Sequence, residues 1–172
     1  LEIDSRQHCH LIRYGNEVQL QIGYQGYIYT LQKHIADLKI KVGVVKKGDV
    51  FIVKSLNDND EYTHEINNPF ASEKEIEGVY CYMSWENSSR ITLVSLEEIN
   101  KVKGKARTQA VWKEWFERMA IKTTIKRACK IMFAGIVEKL DEYDNQDEHS
   151  TYHLLDGCAS HHHANRDLLL NY

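Results

Sequence analysis

The chain has 172 residues, 42% hydrophobic and 27% charged, which fits one globular domain and excludes a disordered tail or linker as its main content. No apolar run approaches the roughly 20 residues of a membrane span, and the first residues carry no basic-then-apolar leader pattern. The formal net charge of −3 conceals a strong segregation. Residues 1–100 hold ten Lys and Arg against fifteen Asp and Glu, residues 101–130 hold ten against two, and residues 131–172 hold two against eight.

In chain order, Val18, Leu20 and Ile22 alternate with Gln19 and Gln21, the period-2 pattern of a strand. Gly23 and Gly26 interrupt it, and residues 27–33 are suited to a helix. Residues 39–45 and 50–54 are two β-rich runs separated by Lys46-Lys47-Gly48-Asp49, which predicts a hairpin. Residues 57–74, polar and acidic around the single proline, Pro69, read as a loop. Residues 78–85 and 90–94 predict a second hairpin across Glu86-Asn87-Ser88-Ser89. Ser95 followed by Glu98 is a capping box that should start a helix at Leu96. After a basic break at 103–108, a long helix is expected over about 110–137, with no proline to stop it.

The expected fold is therefore α+β: an antiparallel sheet of two hairpins with a long basic helix packed on it. The core is expected over residues 1–137, with an acidic tail at 138–172. The chain begins without methionine, in what reads as mid-domain, so a segment upstream is expected to be missing.

The basic block is the most informative feature. In the long helix Trp112, Trp115, Phe116, Met119 and Thr123 fall at spacings of three and four and form an apolar face. Arg118, Lys122, Lys126 and Lys130 fall four apart and span ~18 Å at 1.5 Å per residue. Lys113 and Arg127 widen that stripe, and only Glu114 and Glu117 interrupt it. Exposed helices ordinarily alternate signs, so a row of cations points to a polyanion such as a phosphate backbone. The bland alternative is a solvated helix face. Tyr24, Tyr27 and Tyr29 suit base stacking, but half-buried tyrosines at a sheet edge explain them more simply.

Other chemistries are weaker. Cys9, Cys81, Cys129 and Cys158 are scattered, form no CxxC pair and suit a reducing compartment. His8-Cys9-His10 and Cys158 with His161-His162-His163 supply metal-ligand types, yet neighbouring histidines on one segment seldom all face one ion. A Cys–His nucleophile lacks an orienting third group. Asp58, Asp60 and Glu61 invite a magnesium nuclease, but a solvated turn is the simpler reading. No phosphate-binding GxxxxGK[ST] loop is present.

Several blocks resemble the RecT family of phage single-strand DNA annealing proteins, related in fold to Red-beta. Leu11-Ile12-Arg13-Tyr14-Gly15-Asn16-Glu17-Val18-Gln19 and the following Gly23-Tyr24-Gln25-Gly26 are similar to the family's "hLVPYG-x-E-x-Q" and "GYKG". Val94-Ser95-Leu96-Glu97-Glu98-Ile99 resembles "V-M-S-x-x-E-I", and residues 112–130 resemble "W-x-x-x-x-x-x-M-A-x-K-T-x-I-R-R-x-x-K". The blocks keep the family order and cover about residues 1–133. Gln25 replaces the usual basic residue, Arg13 replaces a proline, and the chain continues through Ile131-Met132-Phe133-Ala134-Gly135 where relatives turn.

The resemblance implies a DNA-binding, non-enzymatic protein that anneals complementary strands without ATP, in recombination and repair, as a ring or helical filament in the bacterial cytoplasm. Of the DNA-contacting residues expected here, Lys122, Lys126, Arg127 and Lys130 follow from the resemblance. Arg118, Lys105, Arg107, Tyr24 and Gln25 complete the set. No cofactor is implied, Mg2+ serving only as a counterion, and the expected protein partners are a phage exonuclease or a host single-strand binding protein. The family's N-terminal helical part is expected to be absent, residues 1–4 matching its end. The rival readings are a protector that binds single strands without annealing them, and a degenerate remnant.

Overall fold

The structure is a computed structural model that describes residues 6–14, 16–56, 59–106 and 109–144. Over these described residues it is α+β, with a two-stranded antiparallel sheet, a mixed five-stranded sheet and five α-helices.

Strands β1 (Cys9–Tyr14) and β2 (Glu17–Ile22) pair from Cys9↔Ile22 to Tyr14↔Glu17. Their shared face runs from buried Cys9 and Ile22 out to exposed Leu11 and Val18, so the hairpin is rooted in the core and projects from it. Helix α1 (Tyr24–His34) follows at once, with Gly23 as its N-cap. Both glycines of the Gly23–Gly26 turn are needed for close approach. A Cβ on Gly23 would lie 2.5 Å from the carbonyl oxygen of Gln7, and one on Gly26 2.5 Å from that of His8. The Gly23 amide donates to the latter carbonyl at 2.9 Å, which clamps α1 to the strand entering β1.

The second sheet contains β3 (Lys39–Lys46), β4 (Val50–Leu56), β5 (Asn59–Glu65), β6 (Ile76–Trp85) and β7 (Ser88–Ser95), in the order β3-β6-β7-β5-β4. The hairpin expected at 78–94 is present as β6–β7. The one expected between 39–45 and 50–54 is not. The turn forms, with Gly48 at φ +90° and the Asp49 carboxylate accepting from the Lys46 amide, but β3 pairs with β6 and β4 with β5. Strand β5 also corrects the loop expected at 57–74. Its inward positions are Asp60, Tyr62 and His64, so its alternation is polar and aromatic rather than aliphatic.

The packing explains why β3 and β4 separate. Phe51 stacks on Tyr80 with centroids 4.9 Å apart, and Tyr62 lies 5.0 Å from both Tyr80 and Tyr82. Because β7 stands between β5 and β6 in the sheet order, these contacts require the β4–β5 pair to curl over the β6 face. A Cβ on Gly43 would fall on the Tyr80 ring, so the glycine makes room for it. A single parallel bridge, Asn59↔Ser89, joins β5 to β7. The Asp60 carboxylate reinforces it, accepting from Ser55 Oγ at 2.6 Å and the Ile91 amide at 2.8 Å.

The capping box starts α2 (Leu96–Lys105) where expected. The single helix expected over 110–137 is divided into α3 (Gln109–Glu114), α4 (Phe116–Met132) and α5 (Ala134–Asp144). Trp115 and Phe133 break it by leaving helical geometry, at φ/ψ of −126°/46° and −135°/40°. The second break lets Phe133 pack edge-on against Trp85 and turns α5 back onto α1 and β2. The expected boundary at 137–138 falls inside α5, and residues 145–172 lie outside the described ones.

Helix α4 is central, touching β3, β6 and β7 on one side and α1 and α5 on others. Ile125, Ala128 and Cys129 join Tyr27, Leu31, Cys81, Met83 and Val137 in one core cluster. Ala120 joins Val79, Val94, Ile99 and Trp112 in a second. The expected apolar face is thus present, with Trp112 buried as core. Trp115 is instead 43% exposed.

Candidate nucleic-acid interface

At 100° per residue, Lys122, Lys126 and Lys130 leave α4 on the side away from Ala120 and Ala128, which face the sheet clusters. They form a strip whose two flanks differ. On one flank stand α1 and the β1–β2 hairpin. Partial shielding from water holds the His10 imidazole of that hairpin below its usual range, and the Lys122 ammonium pushes the same way. Lys126 is buried, its Nζ 5.5 Å from the centroid of the fully buried Tyr27 ring. Lys122 and Lys130 are half-buried.

The other flank is the start of α2. Arg127 Nη1 donates to Glu98 Oε1 at 2.7 Å, and both side chains are about one-quarter exposed. The other Glu98 oxygen, Oε2, accepts from the Ser95 amide and hydroxyl, each at 3.1 Å, which closes the capping box. Burial works to raise the Glu98 carboxyl, but the Arg127 and Ser95 hydrogen bonds outweigh it and hold the group below the usual carboxylate range. The Ser-x-x-Glu spacing marks Glu98 as a cap in the sequence. Nothing in that spacing marks its second bond, to a residue 29 positions away.

The remaining expected residues are dispersed. Arg118 is exposed and stacks on Trp115, its guanidinium carbon 4.5 Å from the ring centroid. Lys105 is the exposed last residue of α2, whose final carbonyls are capped by Gln109 Nε2 at 2.7 Å from both Lys103 and Ala106 oxygens. Arg107 lies outside the described residues. Tyr24 and Gln25 are half-buried in the first turn of α1, and Tyr24 packs against the core. The third tyrosine of that cluster, Tyr29, stacks on His8 at 4.3 Å and lies under Lys33. The three tyrosines thus sit on a helix rather than at a sheet edge.

Elsewhere the chemistry is structural. Cys9, Cys81 and Cys129 are buried, and burial pushes the Cys81 thiol up to about 12. Among the described residues no three His, Cys, Asp or Glu side chains are grouped to hold a metal, and no helix is long and apolar enough to cross a membrane. Of the acidic trio at 58–61, Asp58 lies outside the described residues, while the Asp60 carboxylate is bonded to the neighbouring strands.

What this fold and this strip belong to is decided by comparison at the level of family. The RecT family model matches residues 1–153, most of the chain. The chain belongs to the RecT family. RecT proteins are DNA-binding annealing proteins of recombination, associated with phage. The match extends beyond the motifs, through α5 and on to residue 153. No curated protein matches the chain.

Proposed function

We propose that this RecT-family chain binds single-stranded DNA and anneals complementary strands in homologous recombination, without ATP and as a homo-oligomeric ring or helical filament. The reading assigns residues 1–137 to the annealing core and 138–172 to an acidic tail. The observation that carries it is the row of lysines along α4, at spacings of four and with half-buried Lys122 and Lys130 on either side of buried Lys126, in a chain matched by the RecT model along most of its length.

Annealing needs the backbone neutralised and the bases left free, and cations contacting phosphates do this without reading sequence. Neutralising one strand lets a second, like-charged strand approach. Neighbouring protomers multiply weak contacts and keep the strand extended. In this reading Lys122, Lys130, Arg118, Lys105 and Arg107 meet phosphates directly, and Arg127 joins them. Buried Lys126 adds its charge to the local field, while Tyr24 and Gln25 shape the adjoining turn. The reaction is non-enzymatic and takes place in the bacterial cytoplasm. It uses no cofactor beyond counterions such as Mg2+, and an exonuclease or single-strand binding protein acts alongside.

The test is binding to a labelled, sequence-neutral single strand across a salt series, followed by addition of the complement. Steep weakening with salt and accelerated pairing are expected. Binding without pairing would replace annealing with strand protection, and no binding at low salt would overturn the reading.

A further inference from the structure

We infer that Glu98 is an internal counter-anion of the DNA strip, holding Arg127 in the free protein and yielding it to a strand phosphate on binding. This rests on the DNA reading above. Three observations lead to it.

The Arg127–Glu98 contact is a single N–H···O bond between two partly exposed groups, not the two-pronged clasp that makes such pairs hard to part. Only one of the two carboxylate oxygens is used. The other is fixed by Ser95, so Glu98 stays anchored when Arg127 leaves and repels whatever does not replace it. Finally, Arg127 precedes Lys130 by three positions, the spacing at which two residues are neighbours on one helix face, so it stands next to the Lys130 end of the strip.

A strand phosphodiester has the same single charge as a carboxylate, but both of its anionic oxygens are open to the fork of the guanidinium, whereas Glu98 has one oxygen committed to Ser95. A lone phosphate gains little by the exchange. A strand already held at Lys122 and Lys130 presents its next phosphate at high effective concentration, so the exchange favours long chains over single anions. Glu98 is on this account a positioning residue: it holds Arg127 at the α2 flank of the strip, and its charge shortens the lifetime of any short or partly seated strand.

The test uses the full chain and a labelled, sequence-neutral oligonucleotide over a salt series. Gln at this position retains the capping-box pattern, so Glu98→Gln should fold. It is expected to bind about threefold more tightly at moderate salt and to steepen the slope of log K against log salt by ~0.7, because in the wild-type complex the cation gathered by the vacated Glu98 carboxylate offsets the one released where Arg127 meets phosphate. Arg127→Gln alone should leave the slope nearly unchanged, whereas in the Glu98→Gln background it should abolish the gain. A merely structural role for Glu98 would move the melting temperature and not the slope.

Wild-type slope in a folded Glu98→Gln protein would overturn the inference while leaving the DNA reading intact. If that variant melts early, Arg127→Gln alone still decides: a slope loss as large as that of Lys122→Ala would show that Glu98 withholds nothing. Failure of the wild-type protein to bind any strand would overturn both readings together.

Discussion

Gly26 illustrates how little space a sequence motif can conceal. An alanine there would gain roughly 0.8–1.0 kcal/mol of helix propensity over glycine. Its methyl would also stand 2.5 Å from a backbone oxygen that is held in place by the Gly23 amide. Overpacking of this kind costs about 1–3 kcal/mol, so Gly26→Ala should lower stability on balance, as a urea or thermal unfolding curve would register. An unchanged midpoint would mean that the strand entering β1 gives way freely. For the cations, Lys122→Ala and Lys130→Ala should each weaken binding to every single strand alike. Each should flatten the salt slope by ~0.7, and titrations at four or five salt concentrations would show it. A sequence-dependent loss would contradict a purely backbone role.

At the scale of elements, the anchor of the curled β4–β5 hairpin is a polar relay. Asp49 accepts from the Lys46 and Asn67 amides at 2.9 Å and lies 3.2 Å from His64 Nε2, while His64 Nδ1 lies 3.3 Å from the Tyr80 hydroxyl. Those backbone bonds, with His64 assisting, hold the Asp49 carboxyl below its ordinary range. A depressed folded value stabilises the native state above the unfolded value of about 3.9 and is lost as pH falls through the folded one. Native protein should therefore lose stability below about pH 4, and Asp49→Asn should flatten that part of the profile of melting temperature against pH. Equal acid sensitivity in the two proteins would remove Asp49 from the account.

The same hairpin shows where the sequence was silent. β2, β6, β7 and the start of α2 were legible because aliphatic alternation and a capping box are local signals. β5 was not, since its inward residues are Asp60, Tyr62 and His64, whose partners lie on other strands. The breaks at Trp115 and Phe133 were also illegible, because no proline or glycine occupies either position, and the contact that accompanies the second, Phe133 on Trp85, joins residues far apart in sequence. In the candidate site, the spacing of the cations could be read directly. The burial of Lys126 against Tyr27 and the Glu98–Arg127 bond could not, since each joins segments distant in sequence.

Across the whole molecule, two core clusters share α4, and Val42 and Ile121 pack against both. Trp112 closes the smaller cluster with Val79, Val94, Ile99 and Ala120. Trp112→Ala should cost about 3–5 kcal/mol, read from chemical denaturation. A native-like midpoint would show that the ring is not core. The strip thus stands on a helix that sheet and helices pack against on several sides.

That placement has a calorimetric consequence. Ligands that order a loose segment bury fresh apolar surface and report it as a large negative heat-capacity change. Here the cations leave a helix already wedged between a sheet and two other helices. Titration of a single strand into the protein should therefore show an enthalpy that varies little with temperature. Its free energy should follow ionic strength far more closely than heat.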